Sequence, residues 1–272
     1  MTPGLDAVIL FGLYAATGLT AGVLAGLLGV GGGVVIVPAL TYVFEFQGLP
    51  AETTVHFALG TSLGTIVFTS LSSVRAHHGR RSVIWGIVLR ITPGILIGTY
   101  LGSGLGVRLS TPALKGFFAC FLFVVAAQLL GAVRTQPKRM LPGGPVVAAV
   151  GLVIGAVSSL VGIGGGSLSV PFMVWCNVNV RQAIGTSAAI GFPIAVAGAV
   201  GYIVHAHGTS GVPYALGYVY LPALAGVAAL SVLTAPLGAR LAHSIDPGRI
   251  KKVFALFLVV TACRMALDVV LA

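Results

Sequence analysis

Gly29-Val30-Gly31-Gly32-Gly33-Val34-Val35-Ile36-Val37-Pro38 returns 133 residues later as Gly162-Ile163-Gly164-Gly165-Gly166-Ser167-Leu168-Ser169-Val170-Pro171, with six of the ten positions identical. A second phrase follows each copy, Ala58-Leu59-Gly60-Thr61-Ser62 and then Ala183-Ile184-Gly185-Thr186-Ser187, at an offset of 125, so the intervening loop is eight residues longer in the first half. A fainter echo, Gly106-Val107-Arg108-Leu109 against Gly238-Ala239-Arg240-Leu241, carries the duplication through most of each half. The chain therefore reads as two repeats, residues 1–135 and 145–272, joined by a linker at 136–144 that holds Lys138, Arg139 and a Pro/Gly cluster.

Composition decides the medium in which these repeats fold. The 272 residues are 57% hydrophobic and 7% charged, with a mean hydropathy of +1.06; a soluble domain carries about 25% charged residues. Residues 7–44, 53–74, 116–133, 140–180 and 182–239 contain no Lys, Arg, Asp or Glu. The first and fourth, 38 and 41 residues, each exceed the roughly 20 residues one helical span needs, and the 58-residue run could hold two. This predicts an all-α polytopic membrane protein and excludes an ordinary soluble enzyme. A β-barrel would show period-two alternation over about ten residues at a time, which is missing here. The net charge of +10 does not point to nucleic acid, because the basic residues sit in short loops without aromatic interleaving. Cys120, Cys176 and Cys263 are too scattered for a disulfide or a zinc site and read as small hydrophobes. Met1–Leu10 has no Lys or Arg, so the first apolar segment is expected to stay as a transmembrane helix rather than be cleaved as a leader.

Spans are expected near 7–28, 31–45, 53–75, 83–105 and 115–133, then 145–161, 164–177, 181–204, 216–239 and 252–271. The second of each set is short and follows glycines that cannot form a stable helix interior, which predicts broken or re-entrant helices. Five segments per half make the repeats inverted. Placing the 75–82 loop in the cytoplasm also places there Arg134, Lys138, Arg139, Arg181, Arg240, Arg249, Lys251 and Lys252, eleven basic residues in all, against Arg108 and Lys115 outside. Both termini are then expected outside. Inverted repeats with interrupted helices are a construction of secondary transporters, whose site lies near the midplane where the repeats meet.

The glycines suggest the chemistry. Unwinding at Gly31-Gly32-Gly33 and Gly164-Gly165-Gly166 frees backbone amides at helix starts near Val34 and Ser167, and a helix N-terminus attracts anions. The competing use of such glycines is close helix packing. Thr61, Ser62, Thr186 and Ser187 lie near midplane depth, where their hydroxyls either donate to an anion or bond to a carbonyl or a neighbouring helix. Arg90, counted from Arg81, falls roughly 13 Å into its span, where an ionisable group is a functional candidate unless it snorkels. Arg264 and Asp268 read as a helix-face pair. His56 and Arg181 precede the two Gly-Thr-Ser phrases at matching places and are candidates for a gate or entrance. The acids Asp6, Glu45, Glu52, Asp246 and Asp268 all lie near span ends, which argues against a buried carboxylate proton relay. No catalytic residue, metal or cofactor is expected. An intramembrane hydrolase using Ser167 or Ser187 would need a histidine within reach, and His205 and His207 fall at the far end of the span.

The paired Gly-x-Gly-Gly-Gly phrases, each followed by Pro and then by Ala-x-Gly-Thr-Ser, resemble the TauE/SafE family of sulfite exporters, the TSUP permeases. The motif positions are Gly29, Gly31, Gly32, Gly33 and Pro38 with Gly162, Gly164, Gly165, Gly166 and Pro171, and Gly60, Thr61 and Ser62 with Gly185, Thr186 and Ser187. The resemblance implies a secondary transporter in the bacterial plasma membrane that exports sulfite, sulfonates or related small anions. Its partners are then a small anionic substrate and the lipid bilayer, not nucleic acid, with a homo-oligomer left open. The alternatives are an anion channel using the same residues and a non-transporting accessory membrane protein.

Overall fold

The computed structural model describes residues 3–28, 31–131, 140–207, 211–244 and 247–270. Gly29 and the linker charges Arg134, Lys138 and Arg139 lie outside the described residues, as do the side chains of Arg249, Lys251 and Lys252. The described residues form ten helices: α1 (Pro3–Leu28), α2 (Gly33–Phe46), α3 (Thr54–His78), α4 (Trp85–Arg108), α5 (Thr111–Leu129), α6 (Gly144–Val161), α7 (Gly166–Trp175), α8 (Val180–Val204), α9 (Leu221–Ser244) and α10 (Pro247–Val270). A hairpin of two-residue strands, β1 (Ala215–Leu216) and β2 (Val219–Tyr220), precedes α9. It turns at Gly217, whose φ is +55°, and it delays α9 by about five residues against the expected start at 216.

The protein is an all-α polytopic membrane protein. Helices α1, α3, α4, α5, α6, α8 and α9 are long and apolar enough to cross a bilayer, whereas α2 and α7 are the short ones. Side chains such as Leu89 (72% exposed), Leu233 (68%) and Leu256 (66%) cover the outer surface. Such a coat is tolerable in hydrocarbon and would drive aggregation in water. The innermost helices are α3 and α8, the most buried of the long ones; Gly198 lies against Leu63 and Gly185 against Ser82, so they run antiparallel.

Each half packs chiefly on the other half. In α1, Gly18 sits on Val227 and Gly22 on Ser231 of α9; in α6, Gly151 sits on Ile91 and Gly155 on Ile95 of α4. The two sets correspond residue by residue, 133 apart on one side and 136 on the other. Small residues at these crossings let the backbones approach, and in a bilayer close van der Waals packing replaces the hydrophobic drive.

The chain path sorts the charges. Arg80 Nη1 donates to the Ala239 carbonyl at 2.6 Å, and Gly185 lies against Ser82, so Arg75, Arg80, Arg81, Arg181 and Arg240 share one end. At the opposite end Lys115 pairs with Glu45 at 2.8 Å and approaches Asp268 at 3.9 Å, and Thr111 donates to the Glu52 carbonyl at 2.5 Å. The expected Arg264–Asp268 pair takes another form: Asp268 accepts from Tyr42 Oη at 3.2 Å, and Arg264 lies over the Tyr42 ring at 4.3 Å.

A side chain at Gly98 would overlap the Leu152 carbonyl, whereas nothing lies within 4 Å of a β-carbon at Gly116. Gly98→Val is therefore expected to cost about 3 kcal/mol or more by overpacking, and Gly116→Ala to be neutral or slightly stabilising. Thermal unfolding of both variants in one detergent checks this, and equal melting temperatures would remove the α4–α6 contact from the account.

Candidate functional site

The glycine phrases end two helices and start two others. Gly162 closes α6 at φ +68°, while Gly32 and Gly165 stand as the N-caps of α2 and α7 at φ +78° and +75°. A β-carbon is strained in that left-handed region, and a glycine cap has no side chain to neutralise the amides behind it. The first turns close on backbone alone: Val35 and Ile36 N–H donate to the Gly32 carbonyl at 3.0 and 3.1 Å, and Leu168 and Ser169 to the Gly165 carbonyl at 3.1 and 2.8 Å. Pro38 and Pro171, six positions into each short helix counting its first residue, withdraw a further N–H from the Val34 and Ser167 carbonyls.

These two breaks meet. A β-carbon on Gly31 would stand 3.1 Å from the Gly164 Cα, and one on Gly33 would overlap the Gly162 carbonyl. Because Gly31 and Gly164 are the same position of the two repeats, their contact lies where the halves cross. Ser62 Oγ donates to the Gly162 carbonyl at 2.7 Å, satisfying a group that the end of α6 exposes. Ser187 accepts from Ser169 Oγ at 2.9 Å.

The threonines beside these serines act as a matched pair. Thr61 Oγ1 accepts from Tyr220 N–H at 2.9 Å, and Thr186 Oγ1 accepts from Ile84 N–H at 2.9 Å. Tyr220 and Ile84 are the residues immediately before α9 and α4. Each repeat thus holds the start of a helix of the other. The four hydroxyls are engaged with protein groups, although a hydroxyl that accepts still has a proton to give.

A central cavity of about 10 Å³ lies beside the crossing, lined by Ala25, Gly31, Ser70, Ser73, Ala188 and Gly191. It has room for about one water molecule, so this conformation is closed around its centre. Ser73 Oγ and, near Gly165, Ser158 Oγ are buried with no hydrogen-bond partner. Sequence reading missed both; for Ser73 the signal was the run of Thr and Ser at 61, 62, 65, 69, 70 and 73, one side of α3, whereas Ser158 on α6 has no such run. A larger cavity of about 640 Å³ opens at the Glu45 end and reaches Phe57 and Tyr220. Burial raises the Tyr220 phenol above its ordinary range, so it stays neutral there.

Three sequence candidates stand apart from the crossing. Arg90 is exposed on the face of α4 that also exposes Leu89, Ile97 and Leu101. Arg90 stands about 8 Å along α4, which begins at Trp85, and its side chain is exposed rather than buried against the glycine crossing. His56 is buried at the opposite end, its Nε2 3.0 Å from the Leu109 carbonyl and its ring 5.2 Å from that of Tyr218. Arg181 is exposed at the start of α8, its N–H bonded to Asn179 Oδ1 at 3.0 Å. No group of three metal-ligating side chains occurs among the described residues.

Residues 14–265 match the family model for the sulfite exporter TauE/SafE. A "probable membrane transporter protein" of Haemophilus influenzae is 38% identical over 255 residues, covering 92% of this chain and 96% of its own. Like-named proteins of Methanocaldococcus jannaschii (26% identical; 89% and 90% covered) and Bacillus subtilis (30%; 72% and 80%) are also similar. No solved structure matches.

Thr186→Val keeps the shape but strands the Ile84 N–H, and is expected to cost about 1–3 kcal/mol; Thr186→Ser should restore most of it. Melting temperatures of the two variants test the bond, and equal losses in both would assign the effect to packing.

Proposed function

The chain belongs to the TauE/SafE sulfite exporter family, and on that premise we propose that it is a secondary transporter carrying sulfite or a small organosulfonate out across the plasma membrane. The observation that carries this reading is the meeting of two glycine-capped helix N-termini at the centre of the bundle. Two such ends present partial positive charge to one point in a low-dielectric interior, which suits a small anion and repels a cation. The amides at Gly31–Gly33 and Gly164–Gly166 are its expected ligands, joined by the hydroxyls of Thr61, Ser62, Thr186 and Ser187 once an opening motion loosens their present bonds. Ser73 and Ser158, buried without partners, add two donors. Arg90 is left out, since its place on the outer face of α4 keeps it from the centre.

A closed centre between a cavity at one end and a basic mouth at the other fits alternating access, in which one repeat rocks against the other. The basic end, carrying Arg75, Arg80, Arg81, Arg181 and Arg240, faces the cytoplasm in this reading, with both termini outside. His56, beside the opposite cavity's helix start, is the candidate outer gate, and Arg181 marks the inner approach. An open channel remains the second reading only for a state in which the central cavity is wide.

Radiolabelled sulfite flux into proteoliposomes tests the proposal. Saturable flux, competed by unlabelled sulfite, sulfoacetate or thiosulfate and accelerated by counter-substrate, is expected. Gly191→Ala, which narrows the central cavity by a methyl that would stand 3.1 Å from the Gly164 carbonyl, should lower that flux at least tenfold in folded protein. Flux that never saturates would favour the channel, and no flux of any of the three anions would contradict the proposal.

A further inference from the structure

A groove of about 600 Å³ lies between α3 and α9 at the basic end, and none of the anion ligands proposed above lines it. Its lining changes character along its length. Phe68 and Leu71 of α3 and Pro236 of α9 form the apolar part, and Arg75, Arg80 and Arg240 form the mouth. Phe68 is 47% exposed and Leu71 40%, so the apolar part opens sideways from the bundle, into lipid for a helix that spans the membrane. Phe68 stands about 15 Å along the helix from His78, a length that takes in a headgroup and the upper part of an acyl chain.

The groove is separate from the glycine crossing. Ser70 of the central cavity and Ser72 of the groove point about 160° apart around α3. Nor is the groove a by-product of the duplication. At the structural offsets of 125 for α3 with α8 and 136 for α4 with α9, Arg75 corresponds to Val200, Arg80 to His205, Val232 to Leu96, Pro236 to Tyr100 and Arg240 to Gly104. There the His205 ring lies 4.7 Å from the Tyr100 ring and against Gly104, so a ring occupies the corresponding space. The counterpart notch has no arginine and is filled; this one has three arginines and is open.

The geometry points to this groove as a binding site for one anionic phospholipid, its phosphate among Arg75, Arg80 and Arg240 and an acyl chain along Phe68 and Leu71. Guanidinium groups suit phosphate because their planar donors engage two oxygens at once, and basic pockets between membrane helices recognise anionic headgroups in this way. Arg80 is already fixed by its 2.6 Å bond to the Ala239 carbonyl, which ties the two helices at the mouth and uses one of its five donors.

Native mass spectrometry of the purified protein, titrated with dioleoyl phosphatidylglycerol, dioleoyl phosphatidylcholine or glycerol 3-phosphate, tests this. One phosphatidylglycerol is expected to bind at least tenfold more tightly than phosphatidylcholine. The double variant Arg75→Gln/Arg240→Gln should lose that preference, while Arg81→Gln, which alters a charge at the same end but outside the groove, should keep it. An unchanged melting temperature and elution volume show that the double variant is folded; if it is not, Leu71→Trp, which fills the acyl part without adding charge, should abolish the tight binding of phosphatidylglycerol. Equal retention of both lipids, an undiminished preference in the variants, or displacement of the lipid by millimolar glycerol 3-phosphate would overturn the proposal, the last by assigning the arginines to a soluble anion.

Discussion

Hydrocarbon offers no partner to an unpaired N–H or C=O, yet this chain breaks two helices within the membrane. The breaks survive because each covers the other. Gly31 and Gly164 approach to within contact, and Ser62 satisfies the Gly162 carbonyl from the opposite repeat. Contacts at the breaks thus join the two repeats, in addition to the close packing of α1 on α9 and of α6 on α4.

The rest of the bundle follows from that crossing. With α2 and α7 placed tip to tip, α3 and α8 run antiparallel through the centre, and Thr61 and Thr186 each fasten the start of a helix in the other repeat. The outer pairs α1 with α9 and α6 with α4 repeat one packing twice. Such reciprocity links the two ends mechanically: a shift of α3 against α8 moves the Thr61–Tyr220 and Thr186–Ile84 bonds together. The same crossing leaves the positive ends of two helix dipoles facing one point, which is the electrostatic basis for an anion there.

Much of the fold was legible because its signals are local. Charge-free runs gave the spans within a few residues, and the doubled glycine phrase marked both breaks. What stayed hidden depended on distant partners. Counting from Arg81 puts Arg90 inside its span but says nothing of the face it takes, and the stretch before α4 is fixed by a bond from the Ile84 N–H to Thr186, 102 residues away. The Gly-Thr-Ser hydroxyls were visible, but their bonds to Tyr220, Ile84 and Gly162 join the two repeats and leave no mark on spacing. Ser158 was indistinguishable from the many small residues of membrane helices until burial without a partner set it apart. Likewise Arg75, Arg80 and Arg240 read only as loop charges until α3 and α9 brought them to one groove.

The central claim is that the glycine crossing is the point an anion reaches from both sides. Thiol accessibility at Ser73→Cys, in protein whose Cys120, Cys176 and Cys263 are replaced by Ala, tests it most directly. A membrane-impermeant maleimide applied from either side of sealed vesicles should label the site from each, slowed at least severalfold by sulfoacetate, which does not itself consume the reagent. Labelling from one side only, or labelling indifferent to sulfoacetate in protein that still transports it, would contradict the account.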